Sequence, residues 1–169
     1  MIADVQLQTQ SSPAQCSQAQ SLAAETLRVL QDFAAARLKR DYARLVTIFH
    51  PDARFVLPSS QPLAYFGGEC HSARMICDMF RQSDALLESY DFKLYPPLID
   101  GNHGAARWDT MQRNRGTGNG VLLSGAGFLT QVDGLITEYF EFFDTAAVAT
   151  LVHIGMHPRA NGRLWPARR

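Results

Sequence analysis

The spacing of apolar positions changes about halfway along the chain. Early apolar residues recur near helical spacing, as at Leu22, Leu30 and Phe33, which favours helices that bury one face. Later segments alternate apolar and polar residues, as half-buried strands do. The pattern predicts helices at 21–40, 41–50 and 71–82, strands at 53–57, 90–100, 103–113, 121–131 and 135–143, and a last helix after residue 144.

Short polar segments mark where these elements begin and turn. Ser21, Asp41, Ser72 and Asp144 each precede a helical run and are predicted N-caps. The segment "VDG" at 132–134 predicts a tight turn between two strands. Helices that precede strands predict an α+β domain, with the helices packed on one side of a curved, mostly antiparallel sheet. The glycines of "LSGAGF" indicate a bend in the strand that contains them.

The two ends of the chain differ in pattern from its centre. Residues 1–19 are rich in Gln, Ser and Ala without periodicity, which predicts a disordered extension. Residues 20–153 are expected to form a single domain, and residues 154–169 a C-terminal arm.

Composition excludes several classes of partner. Lys+Arg and Asp+Glu each total 16, so there is no excess of positive charge to attract nucleic acid. The first 20 residues lack a basic start followed by an apolar run, so neither export nor insertion in a membrane is expected. We therefore expect a cytoplasmic protein whose three cysteines are reduced.

The strand "ITEYFEFF" carries the candidate chemistry. Its alternation places Tyr139, Glu141 and Phe143 on one face. In an apolar pocket, desolvation would raise the pKa of Glu141 toward neutrality and allow it to transfer protons. Two alternatives are a structural or ligand-orienting role, with a hydrogen bond to Tyr42, Tyr65 or Gln112, and a solvent-facing position.

No metal or cofactor is expected. His153 and His157 have the spacing of helical metal ligands, but Gly155 and Pro158 oppose a regular helix there and no third ligand is evident. The sequence also has no phosphate loop and no dinucleotide fingerprint.

Two stretches resemble a known family: "DYARLVTIFHPDA" at 41–53 and "DGLITEYFEFFD" at 133–144. Together with the element order over 20–153, they resemble the SnoaL-like branch of the nuclear-transport-factor-2-like superfamily. That superfamily includes ketosteroid isomerase, limonene epoxide hydrolase and polyketide cyclases. The resemblance implies a cone-shaped fold with a mostly apolar central pocket, usually as a homodimer.

Most of the family's catalytic positions are not retained. They fall at Phe33, Leu57, Ser124 and Ala126, which carry no charge, so the isomerase and epoxide hydrolase mechanisms are not expected. An acidic position of the epoxide hydrolase falls at Glu141. The resemblance implies a pocket wall of Phe33, Phe55, Leu57, Tyr65, Trp108, Thr110, Gln112, Phe128, Tyr139 and Phe143, with Phe140 and Phe142 facing outward.

Two functions follow as expectations. The first is a cofactor-independent enzyme that uses Glu141 for acid/base chemistry on a mainly apolar cyclic or aromatic metabolite, as an isomerase, dehydratase, cyclase or hydrolase. The second is a non-catalytic small-ligand-binding or dimerisation module of the same fold. Both predict an apolar small-molecule ligand, no nucleic acid or membrane partner, and a homodimer through the outer sheet face.

Overall fold

The computed structural model describes residues 13–58 and 68–153, which form four helices and a seven-stranded sheet. The helices are α1 (Pro13–Lys39), α2 (Tyr42–Ile48), α3 (Ala73–Leu86) and α4 (Thr145–His153). The strands are β1 (Phe49–Leu57), β2 (Gly68–His71), β3 (Leu87–Leu94), β4 (Leu98–Asp100), β5 (His103–Asn114), β6 (Gly120–Val132) and β7 (Leu135–Phe143). The predicted α+β class, with helices before a mostly antiparallel sheet, is confirmed.

The sheet has the order β2-β1-β7-β6-β5-β3, and β4 pairs with β5. All of these pairings are antiparallel except that of β1 with β7, which is parallel. The parallel pairing joins an early strand to the last one, which places β7 inside the sheet. Sequence analysis did not predict this pairing. It also did not predict β2, because a four-residue strand has too few positions to show alternation.

Helix α1 is longer than predicted. It begins at Pro13 instead of after Ser21, so residues 13–19 are helical and do not belong to a disordered extension. Ala and Gln have good helix propensity, and Pro is favoured at the first helical position. The rest of that predicted extension, residues 1–12, and the predicted C-terminal arm lie outside the described residues.

The predicted strand at 90–100 is two strands. β3 ends at Leu94 and β4 begins at Leu98. Pro96 and Pro97 lie between them, and proline has no amide hydrogen to donate to a neighbouring strand.

Three predicted helix caps are confirmed. The side chain of Asp41 accepts a hydrogen bond from the backbone N–H of Arg44 at 2.9 Å. Ser72 caps α3, and an oxygen of Asp144 accepts from the first turn of α4. Among the described residues, no helix combines the length and the apolar character needed to cross a membrane.

Glycines in β6 permit close packing on the inner face of the sheet. A Cβ atom at Gly127 would overlap the hydroxyl of Tyr139, and one at Gly125 would overlap the indole of Trp108. The β6–β7 pairing is regular at these glycines and shifts register only between Thr130 and Gln131. The glycines make room for two large aromatic side chains.

Candidate functional site

A cavity of about 130 Å³ lies between the inner face of the sheet and helices α1, α3 and α4. A smaller space of about 60 Å³ adjoins it and shares Arg37, Phe92, Trp108 and Glu141 with it. The remaining side chains around the larger cavity are mostly apolar. The apolar ones are Leu38, Leu57, Met79, Phe80, Leu87, Leu123, Phe143 and Val148, and the polar ones are Ser83, Ser89, Thr110 and Gln112.

Glu141 lies where the two spaces meet. It is on β7 opposite Gly127 of β6, which has no side chain to compete for the inner face. Glu141 keeps some accessible surface because it faces the cavity, but protein atoms surround it. Desolvation therefore dominates and raises the pKa of Glu141 from 4.5 to about 7, while the charge of Arg37 and the indole N–H of Trp108 oppose the rise.

The indole of Trp108 faces Glu141 with an unpaired hydrogen-bond donor. Its N–H is near enough to favour the ionised carboxylate and lower the pKa of Glu141. It nevertheless makes no hydrogen bond of ordinary geometry, so Nε1 is buried without a partner. The ring is held by stacking on Phe92, with 6.3 Å between the ring centroids.

Gln112 places a second unpaired polar atom on the cavity wall. Its Nε2 donates to Oγ of Ser89, directly across on β3, at 3.2 Å. Its Oε1 is buried without a partner. Thr110, between Trp108 and Gln112 on the same face of β5, is satisfied because its hydroxyl donates to the backbone oxygen of Tyr90 at 2.9 Å.

Tyr139 contributes a neutral hydroxyl to the smaller space. Burial and the nearby charge of Glu141 raise the pKa of Tyr139 well above its usual value, so the phenol stays protonated. Its ring packs on Phe33, with 4.8 Å between centroids, and stacks on Phe55 at 5.1 Å.

Arg37 is the cationic residue of the cavity wall, and sequence analysis missed it. Its guanidinium donates to buried Asp84 at 2.9 Å and lies 4.0 Å from the centre of the Phe80 ring. Tyr42 donates to the same carboxylate at 2.7 Å, so the predicted alternative of a bond from Tyr42 to Glu141 is wrong. The available signal was the four-residue spacing of Phe33 and Arg37, which places them on one face of α1.

The structure brings most of the predicted pocket residues together. Leu57, Trp108, Thr110, Gln112, Glu141 and Phe143 surround the larger cavity, and Phe33 and Tyr139 surround the smaller one. Phe55 is fully buried in the aromatic core beside them. Tyr65 lies outside the described residues.

The placement of Phe128 on the pocket wall is wrong. Phe128 is 48% exposed on the outer face of the sheet and packs edge-to-face on Phe142. It pairs with Phe140 of β7, and a one-residue shift along a strand exchanges the two faces. The catalytic positions assigned to Ser124 and Ala126 are displaced by the same one-residue shift. The inward-facing positions of this part of β6 are glycines.

Metal binding has no evident site in the part of the chain that the structure describes. No group of three or more His, Cys, Asp or Glu side chains there could hold an ion. Arg107 and Asp109 form an ion pair at 3.4 Å, and Tyr95 donates to Asp109 at 2.6 Å. These charged side chains therefore pair with neighbours within the sheet.

Helices packed over a mostly antiparallel sheet, with an apolar cavity between them, define the nuclear-transport-factor-2-like fold. The SnoaL-like domain family matches residues 30–139, and the chain belongs to that family. The resemblance in the sequence is thereby confirmed. A comparison with curated proteins gave no match.

Solved structures similar to this chain share its fold at low sequence identity. An NTF2-like protein from Burkholderia thailandensis E264 is 23% identical, with a TM-score of 0.66 over 75% of this chain and 95% of that one. TerC, co-crystallised with polyporic acid, is 18% identical, with a TM-score of 0.68 over 76% and 98%. An LEH-like epoxide hydrolase from M. tuberculosis is 15% identical, with a TM-score of 0.61 over 78% and 92%.

Proposed function

We propose that this protein is a small cofactor-independent enzyme that transfers a proton on a mainly apolar cyclic or aromatic metabolite. Glu141 is the acid/base group. The observation that carries the proposal is the position of this carboxyl in a mostly apolar cavity, where burial raises its pKa to about 7. At neutral pH both of its protonation states are populated, so it can accept a proton and return it.

The size of the cavity sets the size of the ligand. Its volume of about 130 Å³ is close to that of an engineered cavity of about 150 Å³ that binds benzene. One ring therefore fits beside Glu141, with room for small substituents toward the smaller space. The co-crystallised polyporic acid of TerC supports ligand binding by this fold, at an identity of only 18%.

Hydrogen–deuterium exchange tests proton transfer without knowledge of the natural substrate. Acetophenone and 2-cyclohexenone in D₂O exchange the hydrogens next to their carbonyl groups when a base removes a proton and returns a deuteron. NMR measures the rate. We expect catalysed exchange that rises with the ionised fraction of Glu141, with a midpoint near its pKa of about 7. Glu141→Gln should lower the rate about 100- to 10,000-fold.

Glu138→Gln is the matched control, because Glu138 is on the same strand but faces outward, where it accepts a hydrogen bond from Arg54. Its rate should equal that of the wild type. Exchange that persists in Glu141→Gln would remove the catalytic role. Ring compounds that bind without any exchange would favour the second candidate, a non-catalytic binding module, which the uncharged residues at Phe33 and Leu57 also favour.

We also propose a homodimer through the outer face of the sheet. Phe128 and Phe142 are 48% and 50% exposed and pack together there, beside Phe140. Leu122 and Val132 extend the apolar surface with exposures of 59% and 50%. Exposed aromatic clusters of this kind mark protein contacts. Sedimentation of the purified protein gives the oligomeric state, and a monomer at micromolar concentration would reject the dimer.

A further inference from the structure

The two unpaired polar atoms on the cavity wall indicate what kind of ligand completes it. Nε1 of Trp108 can only donate a hydrogen bond, and Oε1 of Gln112 can only accept one. Buried polar atoms are nearly always paired, so each unpaired atom needs an explanation. Both residues line the cavity that holds Glu141, so a ligand there can pair with both atoms.

Each of these atoms is held in place by the surrounding structure. The indole of Trp108 is 8% exposed and lies between Phe92 and the space left by Gly125. The amide of Gln112 is oriented by its bond to Ser89, which uses Nε2 and leaves Oε1 free. The direction of each hydrogen bond is therefore set before a ligand binds, which lowers the entropy cost of binding.

The two residues that carry these atoms reach the cavity from separate positions on β5. Trp108 and Gln112 are four residues apart on β5, so their Cα atoms are separated by about 13 Å. Between them, the hydroxyl of Thr110 is already bonded to the backbone and does not compete for the ligand. Trp108 lies beside Glu141, whereas Gln112 lies beside Ser89.

We propose that the ligand is a planar one-ring compound with a carbonyl oxygen at one end and a hydroxyl group at the other. The carbonyl accepts the N–H of Trp108 beside Glu141, and the hydroxyl donates to Oε1 of Gln112. The ligand class is thus the hydroxylated aromatic ketones that carry a hydrogen next to the carbonyl. This assignment rests on the proposed function, because it places the carbonyl next to the carboxyl that moves the proton. Trp108 and Gln112 determine specificity.

Matched ligands separate the two contacts. The probes are 4-hydroxyacetophenone, 4-methylacetophenone, which lacks the hydroxyl, and 4-ethylphenol, which lacks the carbonyl. Binding is followed by NMR of the ¹⁵N-labelled indole groups, with Trp165 as the second tryptophan and Trp108→Phe for assignment. We expect 4-hydroxyacetophenone to bind about tenfold more tightly than either other probe, the typical effect of one hydrogen bond. The Trp108 N–H signal should shift with the two ketones and much less with 4-ethylphenol.

Variants assign each preference to its residue. Gln112→Leu keeps the side-chain size and should bind 4-hydroxyacetophenone and 4-methylacetophenone equally. Ser89→Ala is a second variant, which removes the hydrogen-bond partner of the Gln112 amide but keeps the amide. It should reduce the preference for 4-hydroxyacetophenone over 4-methylacetophenone. Trp108→Phe should remove the preference for 4-hydroxyacetophenone over 4-ethylphenol, with binding to this variant followed by the NMR signals of the probes.

Several results would overturn the assignment. They are a hydroxyl preference that survives in Gln112→Leu, tighter binding of 4-methoxyacetophenone than of 4-hydroxyacetophenone, and no binding of any probe at millimolar concentration. The binding experiments are repeated in Glu141→Gln, which separates this proposal from proton transfer. If the preferences remain and Glu141→Gln still catalyses exchange, the ligand class stands and the catalytic role of Glu141 falls.

Discussion

Replacing Glu141 by glutamine should make the protein more stable at alkaline pH but not at acidic pH. The carboxyl has a pKa of 4.5 in an unfolded chain and about 7 in the folded protein. Between these two values the folded protein binds more protons than the unfolded chain, so the free energy of unfolding falls as pH rises. Glutamine has nearly the same shape and no charge, so the variant does not lose this stability.

The size of the effect follows from the pKa difference. A rise from 4.5 to about 7 corresponds to about 3 kcal/mol, at about 1.4 kcal/mol for each pH unit. The wild type should lose this amount between pH 4.5 and pH 7, with no further loss from this group at higher pH. For a domain of this size, 3 kcal/mol corresponds to a change in Tm of about 6–12 °C.

Urea denaturation of wild type and Glu141→Gln at pH 5 and pH 8 measures the difference directly. Glu88→Gln is a control whose pKa shift has the opposite sign, because Arg113 holds the pKa of half-buried Glu88 below its usual value. That variant should gain no stability at pH 8. If the difference between Glu141→Gln and wild type is the same at both pH values, Glu141 is not desolvated as described and the argument for its proton transfer fails.

Two further substitutions test the packing and the outer face. Gly127→Ala should cost about 1–3 kcal/mol of stability in urea denaturation, because the added methyl overlaps the hydroxyl of Tyr139. Adding Tyr139→Phe to Gly127→Ala should recover part of that lost stability. A Gly127→Ala variant as stable as the wild type would contradict the close contact between Gly127 and Tyr139. Phe142→Glu, on the exposed outer face, should convert the proposed dimer to a monomer in sedimentation without altering deuterium exchange. An unchanged sedimentation coefficient would place the interface elsewhere.

Local sequence signals predicted much of the fold because their physical causes are local. The caps at Asp41, Ser72 and Asp144 depend on side chains within three residues of the amides that they bind. The break in the strand after Leu94 follows from the missing amide hydrogens of two prolines. Each of these features is decided by neighbours in the chain, so the sequence shows them directly.

The face of Phe128 could not be predicted in the same way. Its strand carries apolar residues on both faces, since Leu123 and Leu129 point inward while Leu122 and Phe128 point outward. Alternation therefore does not distinguish the two sides of β6. Only the pairing of Phe128 with Phe140 shows that it belongs to the outer face.

The sequence by itself determined that Tyr139, Glu141 and Phe143 share one side of a strand, since side chains alternate with a period of two whatever surrounds them. Tertiary structure decided that this side faces a cavity, and that Arg37 meets Asp84 across 47 positions of the chain. It also left the indole nitrogen of Trp108 unpaired beside Glu141. These features depend on which distant segments pack together, and that is a property of the whole fold.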